Sequence, residues 1–273
     1  MTYRVLVPVD RSEERAFHQA QYVSQLPNAA DDVEATVLYV VPPDGFRDAD
    51  AVEFSDVDAA VGAANLLEGE GVSVTRTVDS GGISVQIVRS AEELEADEIV
   101  MGGRKQSGVS RVLLGSTVQD VMLSAERPVT ITSETTVPSD GIRQVLVPVD
   151  ADVERAHHQA AYVAGLPQAA ETVEATVLVV FRHQDYKGAP PHTFEEVDAA
   201  VEAADALENK GVPVERVAIG GEVARTILDM AAERDADSIV MGGRKRSGFQ
   251  EVLLGSITQD VMLAAARPVV ITG

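Results

Sequence analysis

The chain predicts two copies of one doubly wound α/β domain, each built on a five-stranded parallel sheet. Three observations carry that reading. The sequence nearly repeats itself at a constant offset of 140 residues: VLVPVD runs from Val5 to Asp10 and again from Val145 to Asp150, VEATVL starts at Val33 and Val173, and MGGRK starts at Met101 and Met241. Short β-branched runs alternate with stretches of helical length in each copy. Runs such as VLVPV and EATVLYVV are apolar on both faces, as strands covered by helices on each side should be. Roughly half the aligned positions are identical without a gap, and about 130 residues can bury a core of their own, so the period is a whole domain.

Taken in order, strands are expected over residues 4–9, 33–40, 72–78, 98–101 and 128–132, and in the second copy over 144–149, 173–180, 212–219, 238–241 and 268–272. Helices are expected between them, over 13–26, 54–70, 83–95 and 116–125. Leu26-Pro27 stops the first and Gly71 closes the second; Leu166-Pro167 and Gly211 do the same in the second copy. The segment SETTVPSDG from Ser133 to Gly141 is polar, aperiodic and placed at the seam, which predicts domains over 1–133 and 142–273 joined by a linker over 134–141. The copies diverge most where PPDGFRDADAVE faces RHQDYKGAPPHT. That loop follows the second strand, where ligand contacts concentrate in open α/β sheets, so it predicts two sites with unequal lids; drift in an unconstrained loop would read the same way.

Composition narrows the function classes. The formal net charge is -22, and the lysines are Lys105, Lys187, Lys210 and Lys245. A broad basic face for nucleic acid is excluded by that balance. Self-repulsion of so many carboxylates weakens the compact state in dilute buffer, whereas at about 1 M salt the screening length falls to ~3 Å. The surface therefore reads as adapted to a salty cytoplasm, with a merely acidic cytosolic protein as the alternative. The absence of cysteine removes disulfides, thiolate nucleophiles and zinc-thiolate sites. No apolar run approaches the ~20 residues of a membrane span, and the first residues enter a strand, so we expect a soluble, cytoplasmic protein without membrane contact.

One cluster per copy concentrates Gly, Ser and positive charge: MGGRKQSGVSRVLLGST from Met101 to Thr117 and MGGRKRSGFQEVLLGSI from Met241 to Ile257. The strand ends at the methionine, two glycines turn the chain, and Gly115-Ser116 or Gly255-Ser256 opens a helix. Its N-terminal amides aim back toward the strand end, which suits an anion such as a polyphosphate. The basic pairs Arg104-Lys105 and Arg244-Lys245, with Arg246, stand there in an otherwise acidic chain. Glycines making a tight turn, with the basic residues paired to neighbouring carboxylates, is the structural alternative.

The VPVD first strand, the VLYV or VLVV second strand, and the loop G-x2-G-x9-G-S/T before a final R-P-V strand resemble the universal stress protein family over nearly the whole of both copies. The resemblance implies a five-stranded parallel α/β sheet of the adenine nucleotide alpha hydrolase type. It implies pairing through the last strands, here within one chain as a pseudo-twofold pair, with further oligomers open. It also implies a bound ATP or related adenine nucleotide, with or without Mg. By the same resemblance Asp10 and Asp150 match the acid that contacts the nucleoside, and Val40 and Val180 the residue beside adenine. Met101 and Gly102, with Met241 and Gly242, start the phosphate loop, and Gly115-Ser116 and Gly255-Ser256 end it. Pro8, Pro148, Thr117 and Ile257 complete the candidate set, with Lys105 and Lys245. Asp10 reads equally as a cap for the following helix.

The lysines are a departure: the second glycine of G-x2-G is Lys105 in one copy and Lys245 in the other. A lysine adds bulk where glycine lets backbone approach phosphate, but it offers a charged head. Ser80-Gly81-Gly82 follows the third strand, so it reads as the entry turn of a helix. The histidines show no i, i+4 pair on one helix that would suit a metal. Phe17, Tyr22, Phe46 and Phe54 read as packing or lid residues, too sparse for a stacking platform. These observations favour a stress-response protein that binds an adenine nucleotide in a regulatory or sensing role, without a dedicated catalytic base. A nucleotide-independent interaction module of the same fold, or a weak ATPase, stands as the alternative.

Overall fold

A computed structural model of the protein describes residues 2–43, 52–105, 112–113, 115–132, 141–182, 192–243 and 255–273, with backbone alone at 104–105 and 112–113. The first copy runs β1 (Tyr3–Val9), α1 (Glu13–Ser24), α2 (Ala29–Asp32), β2 (Val33–Val41), α3 (Asp58–Gly69), β3 (Ser73–Ser80), α4 (Ile83–Glu93), β4 (Glu98–Gly102), a hairpin of β5 (Arg104–Lys105) and β6 (Val112–Leu113), α5 (Ser116–Ser124) and β7 (Val129–Thr132). The second runs β8 (Arg143–Pro148), α6 (Val153–Gly165), α7 (Ala169–Thr172), β9 (Val173–Phe181), α8 (Asp198–Asn209), β10 (Val214–Gly220), α9 (Val223–Glu233), β11 (Ser238–Gly242), α10 (Ser256–Ala264) and β12 (Val269–Thr272).

Local chemistry explains most boundaries. Ser12 and Asp152 cap α1 and α6 through their side chains, and Gly71 and Gly211 take φ of 86° and 85° where the chain leaves α3 and α8. The helix expected over 54–70 divides in two. Glu53 and Asp56 form a reciprocal capping box around a 3-10 turn at Phe54–Asp56, and Val57, at φ -115° and ψ 89°, breaks the path before α3. The single turns α2 and α7 escape periodicity because four residues hold barely one turn. Each is entered through a left-handed residue, Asn28 or Gln168.

All but two of these strands form one ten-stranded sheet in the order β10-β9-β8-β11-β12-β7-β4-β1-β2-β3. Within each half the pairing is parallel, and the connection order reverses between β1 and β4 and between β8 and β11. Helices α1, α3, α6 and α8 pack on one face around Val5, Val7, Val37 and their counterparts. On the other face α4, α5, α9 and α10 pack around Leu6, Leu38, Ile99, Leu146 and Leu178. Charge guards the outer strands: Arg76 on β3 meets Glu68 at 2.9 Å, and Arg216 on β10 meets Asp205 at 2.6 Å and Glu208 at 2.8 Å.

The halves join where β7 and β12 run antiparallel, with Val129 opposite Ile271, Thr130 opposite Val270 and Ile131 opposite Val269. This pseudo-twofold pairing, expected from the final R-P-V strands, covers the apolar edge that either half would expose alone. A buried polar cluster sits beside it. Glu98 is fully buried and accepts hydrogen bonds from Tyr3 at 2.9 Å, from Tyr22 at 3.0 Å and from Thr130. Arg143 lies over the Tyr22 ring, 5.1 Å from its centroid, and donates to the Gln25 carbonyl at 3.1 Å. Desolvation pushes the Glu98 carboxyl above its ordinary range, although the three hydroxyls and Arg143 favour its charged form.

Candidate functional site

In each half the strands part at the point where the connections reverse, which leaves a crevice outside their carboxyl ends. β1 and β4 pair only at Val5–Glu98 and Leu6–Ile99, so the carbonyls beyond have no ladder partner across the split. Gln19 supplies one. Its amide, on buried α1, donates to the Pro8 carbonyl at 2.7 Å and to the Val100 carbonyl at 2.8 Å. Gln159 repeats this with Pro148 at 2.8 Å and Val240 at 2.7 Å. The strand ends are thereby held apart and rigid, as a preformed cleft requires.

The first cleft, of about 370 Å³, brings together Pro8, Asp10, Val40, Met101, Gly102, Gly115, Ser116 and Thr117. The second, also about 370 Å³, gathers Pro148, Asp150, Val180, Met241, Gly242, Gly255, Ser256 and Ile257. Both sizes suit a small organic ligand. Leu38, Ile87 and Met101, or Leu178, Ile227 and Met241, give each cleft an apolar wall. Opposite stands the start of α5 or α10, where Gly115 and Gly255 offer the first amides no side-chain cap. Of the two loop lysines, Lys105 is placed by its backbone on β5, opposite Val112, and Lys245 lies outside the described residues. Phe46 and the expected linker up to residue 140 lie outside them as well.

Asp10 is engaged locally. One carboxylate oxygen accepts from the Ser12 amide at 2.9 Å, and the other takes Arg15 through Nε at 3.1 Å and through a terminal nitrogen. The helix cap itself is Ser12, so Asp10 orders the turn before the helix and anchors an arginine. Asp150 repeats this, accepting from the Asp152 amide at 3.0 Å and from Arg155 at 2.5 Å. These arginines explain Gly102 and Gly242. A Cβ on Gly102 would lie 2.8 Å from the Arg15 Cβ, and one on Gly242 would lie 2.9 Å from that of Arg155. Glycine at the strand end therefore admits an arginine stem crossing the cleft floor.

Arg15, Arg155, Gln19 and Gln159 were not among the residues the sequence singled out. Both pairs recur at the 140-residue offset, but so do Glu14 with Glu154 and His18 with His158 on the same helices, so repetition alone did not single them out. Other lining residues differ between the copies. Arg11 donates to the Tyr39 hydroxyl at 3.1 Å in the first cleft, where the second has Ala151 and Val179. The second is edged by Phe181, whose ring stacks on His192 with centroids 4.3 Å apart. Among the described residues no group of His, Asp and Glu is arranged to hold a metal ion, and no helix is long and apolar enough to cross a membrane.

Two doubly wound halves, each with a cleft at its switch point and paired edge to edge through their last strands, define a tandem α/β protein with two equivalent clefts. The model of the universal stress protein family matches residues 1–133 and 141–273, and the chain belongs to that family. It is 36% identical over 91 residues to universal stress protein YxiE of Bacillus subtilis, covering 30% of this chain and 62% of that one. It is 27% identical over 186 residues to universal stress protein Rv2005c of Mycobacterium tuberculosis, covering 65% of this chain and 62% of that one. The matches thus span less than two thirds of these relatives. Among solved structures, a universal stress protein from Archaeoglobus fulgidus superposes with a TM-score of 0.76 at 24% identity, covering 98% of this chain and 97% of that one, which shows the shared fold.

Proposed function

We propose that the protein binds an adenine nucleotide in each of its two clefts and acts in the stress response as a nucleotide-dependent sensor or regulator, in the cytoplasm and at high salt. The observation that carries this reading is the same constellation built twice: a strand-end carboxylate, an apolar wall and a helix start without a side-chain cap, all around one crevice. The apolar wall suits a nucleobase, the carboxylate accepts from ribose hydroxyls, and the helix amides with an arginine suit phosphate oxygens. Resemblance of the loop from Met101 to Thr117 to the family's phosphate loop supports it. A regulatory role fits better than hydrolysis because Asp10 and Asp150, the carboxylates in the clefts, are each held by an arginine, which disfavours a general base. Calorimetric titration with ATP in 2 M KCl, with and without magnesium, tests the reading. Saturable heat is the expected result. Absence of binding under both conditions would leave the fold serving as an interaction module.

A further inference from the structure

Ser12 and Asp152 hold the same place in the two copies and differ by one charge. Each caps its helix: the Ser12 hydroxyl accepts from the Arg15 amide at 3.4 Å, and Asp152 accepts from the Arg155 amide at 3.0 Å. Asp152 also reaches the Arg155 guanidinium at 2.7 Å, which serine in the first copy cannot do as an anion. Arg155 is therefore held by two carboxylates, those of Asp150 and Asp152. Among the described residues, Asp10 is the one carboxylate on Arg15. A guanidinium with its partners is neutral in the first cleft and carries one net negative charge in the second.

We infer that Arg15 and Arg155 are the cations that meet the phosphates of a bound nucleotide, and that residue 12 or 152 sets how strongly, so that the first cleft is the tighter site for a phosphorylated ligand. This rests on the clefts being nucleotide sites. Three physical points support it. Each arginine lines its cleft, its stem crosses the glycine at the strand end, and its head is held at the strand-end acid. A guanidinium has five N–H donors in a fixed fork, so one held by a carboxylate keeps donors for a second anion. A phosphate approaching Arg155 meets the added charge of Asp152, whereas one approaching Arg15 meets a neutral pair. Each cleft has one further arginine on its lining, Arg11 in the first and Arg182 in the second, so the difference in charge rests on Asp152.

The test exchanges the two caps. Because the sequence also places Arg246 where the first copy has Gln106, outside the described residues, each cleft is compared with itself. Photolabelling with 8-azido-ATP in 2 M KCl, followed by peptide mapping, reads each half separately. Ser12→Asp should raise the half-labelling concentration of the first half by about two- to fivefold, and Asp152→Ser should lower that of the second by a similar factor, the range of a partly exposed ion pair. Competition by adenosine, which lacks phosphates, should be unchanged in both variants. Serine and aspartate are both good N-caps, so each variant should fold, and its thermal midpoint checks this. If labelling saturates in both halves but neither exchange shifts its own half, the inference falls and the nucleotide reading stands. If labelling saturates in neither half, or ATP does not compete with it, both fall together.

Discussion

The phenol oxygens of Tyr22 and Tyr162 lie 3.3 Å apart across the pseudo-twofold axis, so two residues 140 apart in sequence meet as each other's counterpart. Around this symmetric contact the copies have ceased to be symmetric. Tyr3, Glu98 and Thr130 of the first half correspond to Arg143, Ser238 and Val270 of the second. One buried carboxylate and one buried guanidinium therefore serve the whole interface. Pairing two first halves would bring two Glu98 carboxylates to the axis, and pairing two second halves would bring two Arg143 guanidiniums. The divergence thus favours the union of unlike halves that the single chain provides.

Glu98→Ala should destabilise the protein by about 2–4 kcal/mol, because the hydroxyls of Tyr3, Tyr22 and Thr130 lose their common acceptor in a dry interior. Glu98→Gln tests the charge itself. The folded-state pKa is raised, so the stability the group contributes is present below the unfolded value and is lost as pH rises through the folded one. Denaturant melts from pH 4.5 to 8 should therefore show the parent losing stability relative to the glutamine variant with rising pH. A constant difference between the two would contradict this.

Val270→Asp should open the sheet at its centre. Val270 is fully buried opposite Thr130, and a second carboxylate there would be desolvated without a partner, at a cost above about 3 kcal/mol. Small-angle scattering should show an elongated particle in place of the paired one. An unchanged scattering profile would mean that β7 and β12 are not what holds the halves together.

Gly102→Ala should cost about 1–3 kcal/mol, because the new methyl meets the root of the Arg15 side chain, which cannot swing away as its tip could. In an Arg15→Ala background the same change should cost less than half as much. A double-mutant cycle of urea melts reads this coupling, and additive effects would show that the glycine is there for another reason.

Lys105→Glu combined with Lys245→Glu tests the loop cations. Saturating ATP at 100 times its dissociation constant should stabilise the parent by about 2.7 kcal/mol, a clear thermal shift, and the double glutamate variant should show little or none. A glycine at both positions that creates a shift missing from the parent would mean that the lysines close the clefts.

Salt provides the last check. With a net charge of -22, the thermal midpoint should fall steeply below about 0.5 M salt, where the screening length grows past ~4 Å. A midpoint that is flat from dilute buffer to 2 M KCl would contradict adaptation to a salty cytoplasm.

Periodicity and repetition in the sequence suffice for much of this protein. The offset of VLVPVD and MGGRK implies two domains, the doubly apolar runs imply a parallel sheet with helices on both faces, and Pro at the head of an apolar last strand implies an edge in need of a partner. The glycines and serines of the loop point to a cleft because glycine geometry and helix amides are local properties of the chain. Local signals could not show which side chains reach that cleft from elsewhere. Arg15 and Gln19 sit on an amphipathic helix among other polar residues, and they became site residues only when α1 packed beside the split between β1 and β4. Glu98 likewise reads as an ordinary charge at a strand start, and Tyr22 as a packing aromatic. Only the antiparallel meeting of β7 with β12, which brings Tyr162 and Arg143 against them from 140 and 121 residues away, buries that carboxylate and makes its partners matter. Spacing along a chain reports what a residue's neighbours make of it, whereas burial and pairing depend on long-range packing that no window of sequence contains.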